Sequence, residues 1–129
     1  MATWTSEELR KIGDAEELDL ASVRGDDTLG KPVTIWVVRV GEDLYVRAWK
    51  GRTGPWFRGT QVRHAGHIEA GGVAKDVTFV AEASDAVNDR VDAAYRTKYR
   101  EHEARYVDPM VAATARATTI KIVPRSMRA

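Results

Sequence analysis

The alternation of apolar positions is clearest over residues 33–49, and the rest of the chain is arranged about that stretch. Residues 33–40 (VTIWVVRV) are rich in β-branched and aromatic side chains, the composition of a strand. Val33, Ile35 and Val37 fall on one face; Thr34, Trp36, Val38 and Val40 fall on the other. Both faces are largely apolar, so both need cover. Gly41-Glu42 turns the chain, and residues 44–49 return as the partner strand of a hairpin. Leu44, Val46 and Ala48 then point one way, and Tyr45, Arg47 and Trp49 the other.

Before this hairpin, Thr5 and Glu8 have capping-box spacing, Leu9 and Ile12 give a short apolar face, and Gly13 is a natural stop, which predicts a small opening helix. Residues 17–23 alternate loosely and fit an edge strand. Residues 24–31 (RGDDTLGK) read as a loop. After the hairpin, Pro55 suits a first helical position, so residues 55–65 are predicted helical. Residues 67–70 and 73–83 form a second hairpin, turned by Gly71-Gly72 with positive φ at both glycines. Ser84 caps the longest helix, residues 85–101, whose inner face carries Val87, Val91, Ala94, Tyr95 and Lys98. A weaker helix over 106–113 and a last strand over 118–123, closed by Pro124, complete the pattern. Several antiparallel hairpins and few helices predict a mainly β fold with flanking helices, a small β-barrel.

At 129 residues the chain suits one domain (1–129) with its own core: a short N-terminal helix over 1–16 and a barrel with helices over 17–125. Twenty basic residues against nineteen acidic ones leave a net charge of +1, too even for a nucleic-acid binder. The absence of cysteine removes disulfides, thiolate catalysis and cysteine-bound metal, and fits a cytoplasmic protein. No apolar run approaches the ~20 residues of a membrane helix, and the N-terminus lacks the pattern of a signal peptide.

The candidate chemistry lies where the first hairpin ends. A strand, a glycine loop carrying Lys50 and Arg52, and a helix N-terminus follow in immediate succession, the components of an anion cradle. His64 and His67 flank Ala65-Gly66, but no carboxylate stands at a ligand spacing, so no metal site is predicted; His102 lies in a charged, exposed segment. Lys98 falls on the apolar stripe of the long helix, where it either points into a ligand cavity or lays its stem over the core and reaches water. Trp36, Tyr95 and Lys98 are the candidate pocket residues.

The run LYVRAWKGRTGPWFRGTQVRHAGHIEAGGVAKDVTF, with AAYRTKY at the end of the long helix, resembles the FMN-binding split-barrel superfamily. Within it the chain is similar to deazaflavin-dependent nitroreductases and pyridoxamine-phosphate-oxidase-like proteins, and an uncharacterised bacterial domain family looks closer still. The resemblance spans residues 18–125. It implies a six-stranded antiparallel split barrel, a homodimer, and an FMN or deazaflavin cofactor near the dimer interface that reduces or oxidises a small organic molecule. Residues ending the return strand and entering the glycine loop help hold the cofactor in such families; here they are Arg47, Ala48, Trp49, Lys50, Gly51 and Arg52, with Trp56 on the following helix. Arg47, Lys50, Arg52, Thr53 and Arg58 are the candidate donors to a flavin phosphate. An isoalloxazine ring could stack on a tryptophan, or the aromatics could fill the core and an interface; Trp36 and Phe57 read as filling, and Trp49 and Trp56 fit either role. One departure stands out: the basic loop of the deazaflavin-dependent relatives is replaced by Asp26-Asp27-Thr28-Leu29-Gly30-Lys31, a poor start for a phosphate site. The alternative function is a cofactor-free barrel binding a small apolar ligand, with acid–base help from His64, His67 or Lys98; a third is a purely structural or binding dimer.

Overall fold

The structure, a computed structural model, describes residues 3–125. Helix α1 (Ser6–Asp14) opens with the predicted capping box: Thr5 Oγ1 accepts from Glu8 N–H, and Glu8 Oε1 accepts from Thr5 N–H. Its apolar face, Leu9 and Ile12, is buried. Seven strands follow: β1 (Leu18–Ser22), β2 (Val33–Ile35), β3 (Val38–Val40), β4 (Asp43–Val46), β5 (Ala65–Ala70), β6 (Val73–Ala81) and β7 (Ile120–Pro124). Helix α2 (Pro55–Arg63) sits between β4 and β5; α3 (Asp85–Lys98), α4 (Ala104–Val111) and α5 (Ala113–Arg116) sit between β6 and β7.

All strand pairs are antiparallel, in the order β2-β1-β5-β6-β7-β4-β3. The edges β2 and β3 are consecutive in the chain, with only Trp36 and Val37 between them. Three residue steps span at most about 11 Å, so the sheet must curl until its two edges meet. The result is the mainly β, antiparallel split barrel that the sequence predicts, and the split falls at Trp36-Val37.

The count of seven rather than six corrects the single strand predicted over 33–40. Residues 33–35 pair with β1 and residues 38–40 with β4. At the break, the Val37 backbone bonds to side chains of the α3 C-terminus: Val37 N–H donates to Tyr99 Oη at 3.1 Å, and Lys98 Nζ donates to the Val37 carbonyl at 2.6 Å. A buried peptide group left unpaired is costly, so these two side chains make the break possible. The region 17–23 is corrected as well: β1 lies between β2 and β5 and is not an edge.

The period-2 pattern of β4 divides two cores. Leu44, Val46 and Ala48 face the barrel interior with Leu18, Leu20, Ile68, Phe79 and Ile122, plugged by Trp4, Leu9 and Ile12. Tyr45 faces outward to Val91, Tyr95 and Tyr99 of the α3 region and to Val107 and Met110 of α4. The β5–β6 turn has φ of 58° at Gly71 and 86° at Gly72, as predicted. Gly71 is also sterically required, since a Cβ there would lie 2.2 Å from the Lys11 carbonyl oxygen of α1.

Candidate functional site: two joined clefts

Where β4 ends, the chain passes through a short 3-10 turn (Gly51–Thr53) into α2, with Gly54 as N-cap and Pro55 at its first turn. Gly51 has φ of 82°, and a Cβ there would lie 2.6 Å from Thr114 Cγ2, so glycine lets this turn seat against α5.

A cleft of about 680 Å³ opens beside this turn. Its walls are β2 and Trp36, residues 47–50, the start of α2 with Trp56, and Arg105, Tyr106, Pro109 and Met110 of α4. A second cleft of about 720 Å³ lies between β1, the 23–32 loop and α2; Arg24, Gly25, Gly30 and Lys31 line it, together with Gly59 and Val62. Val33, Pro55 and Trp56 line both, so the two clefts adjoin across the Trp56 side chain.

Of the residues singled out from the sequence, Trp36, Arg47, Trp49, Lys50 and Trp56 line the first cleft. Trp49 is 59% exposed, with the Lys50 ammonium 5.4 Å from its ring centre. Trp36, a candidate pocket residue whose ring also reads as core filling, forms a wall of the cleft: its indole stacks on Tyr99 with ring centres 3.9 Å apart and planes 4° from parallel.

Arg47 borders the cleft but cannot serve as a phosphate donor, which corrects its predicted role. It is 1% exposed. Nε donates to Thr119 Oγ1 at 2.8 Å. Nη1 donates to Asp92 Oδ1 at 2.5 Å and to the Met110 carbonyl at 2.9 Å. Nη2 donates to the Asn88 carbonyl at 3.2 Å and to Asn88 Oδ1 at 2.9 Å. A guanidinium has five N–H groups, and these bonds use all of them. Arg47 therefore joins β4 to α3, to the end of α4 and to the start of β7.

Apart from Lys50, the other predicted donors lie off both clefts. Arg52 is exposed, donates to the Ala117 carbonyl at 3.1 Å and sits 5.9 Å from the Phe57 ring centre. Gly51 is buried, while Thr53 and Arg58 are exposed; none of these three lines either cleft. Tyr95 is fully buried beneath Arg47, its hydroxyl without a hydrogen-bond partner among the described residues, and burial pushes its phenol far above the ordinary range. Lys98 holds Val37 and faces neither cleft; burial lowers its ammonium to about 8.

The acidic loop behaves differently from its composition. Asp26 Oδ1 accepts from Thr28 N–H at 3.1 Å and from Thr28 Oγ1 at 2.6 Å, bonds that hold its carboxyl below the usual range. Asp27, at φ 70°, pairs with Arg63 at 3.5 Å. Neither carboxylate lines the second cleft, whereas Arg24 and Lys31 do. The sequence also left unmarked the α4 wall, where the Arg105 guanidinium lies 4.9 Å from the centre of the 52% exposed Tyr106 ring. Arg105 and Tyr106 lie next to each other just after a helix start, and no spacing in the sequence connects them to residues 33–56.

No histidine lines either cleft. His64 is the left-handed C-cap of α2, at φ 54°. His67 Nδ1 lies 2.9 Å from Asp76, and His102 Nε2 lies 2.6 Å from Glu16. Among the described residues no group of three metal-ligating side chains comes together, and no helix is long and apolar enough to cross a membrane.

Solved structures share this architecture. A candidate pyridoxamine 5′-phosphate oxidase from Listeria innocua is 15% identical, over 95% of this chain and 94% of that one, with a TM-score of 0.63. A FAD-binding protein from Mesorhizobium loti is 14% identical, over 96% and 92%, at 0.58. The haem storage protein HutZ from Vibrio cholerae is 10% identical, over 100% and 93%, at 0.60. These likenesses establish the split-barrel fold. Comparison with curated proteins gives no match. A family model described as uncharacterised proteins conserved in bacteria, DUF2255, matches residues 8–122, and the chain belongs to that family.

Proposed function

We propose that the joined clefts hold a flavin-type cofactor, FMN or a deazaflavin, and that the protein is an oxidoreductase acting on a small organic molecule. The observation that carries this reading is the lining itself. Three tryptophans (Trp36, Trp49 and Trp56) border one cleft, and across Trp56 the other presents two cations beside two glycines. A flat aromatic ring fits the first environment by stacking. An anionic tail fits the second, where Arg24 and Lys31 supply charge and Gly25 and Gly30 place no side chain in its way, although the Gly30 N–H is already bonded to the Ser22 carbonyl. Lys50 supplies further positive charge at the ring end. Bound there, the cofactor would supply the hydride chemistry, while the chain orients its ring and holds its phosphate.

The side chains present favour a flavin over haem, although a structural neighbour stores haem. Haem iron commonly takes a histidine ligand, and none of the three histidines of this chain lines either cleft.

The reading includes a second copy of the chain over the mouth of the first cleft. Trp49 and Tyr106 are 59% and 52% exposed there, and large aromatics gathered at one opening mark an interaction surface. Sedimentation at micromolar concentration should show a dimer, and a strict monomer would remove this part of the reading.

The cofactor itself is tested by purifying the protein, recording its visible spectrum and titrating the colourless form with FMN. Flavin absorption, or saturable quenching of tryptophan fluorescence at micromolar FMN, is expected. Protein that is colourless and silent to millimolar FMN would favour a cofactor-free barrel.

A further inference from the structure

The Trp36 indole is held from behind by a set of contacts that no cofactor is needed to explain. Its ring lies flat on Tyr99. The Tyr99 hydroxyl accepts from Val37 N–H at 3.1 Å and faces the carbonyls of Glu16 and Val37 at 2.8 and 3.0 Å. Lys98 Nζ donates to the same Val37 carbonyl. The His102 ring, 5.0 Å from that of Trp36, is bonded to the Glu16 carboxylate. Tyr99 is buried, so its ring has a fixed seat between the outer core and the split.

This arrangement has a consequence for the cleft. Trp36 stands at the one place where neither flanking strand continues, between β2 and β3. A residue at a sheet break has no ladder to set its direction, yet this one forms a cleft wall. The ring behind it and the bonds to the next residue's backbone take over that task.

We infer that Tyr99, assisted by Lys98, is a positioning residue that sets the Trp36 indole as the stacking wall of the first cleft. The inference rests on the reading that a planar ring enters that cleft. It adds that ring affinity is controlled from the α3 C-terminus, by residues that do not touch the ligand. Substitutions at positions 98 and 99 would tune which flat ring the cleft accepts without altering its lining.

The test uses the full chain and two readouts. The first is the set of tryptophan indole N–H resonances in the free protein, with Trp36 identified by its loss in Trp36→Phe. Trp4, whose indole N–H donates to the Ile122 carbonyl in the barrel interior, is the fold control. The second is affinity for riboflavin, which has the ring and lacks the phosphate. Tyr99→Phe keeps the stacked ring and loses the hydroxyl. It should shift or broaden the Trp36 resonance, leave Trp4 unchanged, and weaken riboflavin by roughly three- to tenfold, the scale of one hydrogen bond. Tyr99→Leu, which also loses the stack, should weaken it further. Should Tyr99→Phe disturb Trp4 as well, Lys98→Met decides, because it leaves the Tyr99 ring and hydroxyl in place. An unmoved Trp36 resonance in the deciding variant, or riboflavin bound by Tyr99→Leu as tightly as by wild type, overturns the inference. Wild type that binds no riboflavin while Trp36 moves as expected overturns the cofactor reading instead and leaves Tyr99 as the residue that sets the wall.

Discussion

The turn over residues 47–53 and the loop over residues 24–32 invert what their compositions promise. The first carries Arg47, Lys50 and Arg52 and reads as the phosphate cradle. Yet Arg47 has all five donors occupied, and Arg52 is directed at the Ala117 carbonyl. Of the three, Lys50 alone lines the cleft with its cation not spent on internal hydrogen bonds. The second carries two carboxylates and reads as hostile to phosphate. Yet Asp26 closes a local turn on Thr28 and Asp27 pairs with Arg63, while Arg24 and Lys31 line the cleft. The lesson is that a loop offers a ligand only the groups its own hydrogen bonds leave over.

The largest effect that would sharpen this contrast is on stability. Arg47→Met removes a buried cation from between Asp92, Asn88, Thr119 and the Met110 carbonyl. Breaking a fully buried charge pair from one side costs about 3–5 kcal/mol; Asp92 is a quarter exposed and keeps Arg116 as a partner at 2.8 Å, which puts this loss at the lower end, about 3 kcal/mol. Urea denaturation should show a loss of that size. A fully stable variant that has lost FMN binding would return Arg47 to the cofactor site.

A smaller effect comes from Lys98, whose folded pKa of about 8 lies below its ordinary 10.5 because burial disfavours the charge. Between these two values the unfolded chain binds more protons, so stability should rise as pH increases through about 8 toward 10. Above pH 10 the trend should turn over. Tyr45, raised to about 12 by burial, and Tyr95 and Tyr99, raised further, then keep protons that the unfolded chain releases. Thermal melts from pH 7.5 to 10 should show the rise in wild type, and Lys98→Met should flatten it. A wild-type profile that falls across this window would mean that Lys98 is not desolvated as described.

The smallest effect is expected at Arg52, where the comparison is easiest to break. Its guanidinium is exposed and donates to a main-chain carbonyl, so Arg52→Ala should leave FMN affinity within about threefold, the limit of an exposed contact. A hundredfold loss would mean that the first turn is the cradle after all.

The β architecture was legible because burial acts at fixed periods. Leu44, Val46 and Ala48 alternate with Tyr45 and Arg47, and the structure sends the two sets to different sides of the sheet. Local signals were equally reliable: the Thr5–Glu8 box, Pro55 at the start of α2, and the positive φ values of Gly71 and Gly72 all depend on residues adjacent in sequence. The break at Trp36-Val37 was illegible because its cause lies 62 residues away, in the Tyr99 hydroxyl. Five of the eleven predicted site residues meet in one cleft, since strand end and helix start are local features. The α4 wall and the basic lining from Arg24 and Lys31 arrive through tertiary packing, which no spacing records.

The central claim is that a flavin ring lies among the tryptophans with its phosphate across Trp56, and one paired titration addresses it most directly. FMN and riboflavin are titrated, by tryptophan fluorescence, against wild type and the double variant Arg24→Ala, Lys31→Ala. A charged hydrogen bond contributes about 1.5–3 kcal/mol, and each ~1.4 kcal/mol is tenfold in affinity. Wild type should therefore bind FMN at least roughly tenfold more tightly than riboflavin, and the double variant should bind the two about equally, with riboflavin unchanged. Binding of FMN that is indifferent to both substitutions would place the phosphate elsewhere, and wild type that binds neither ligand below millimolar concentration would contradict the account.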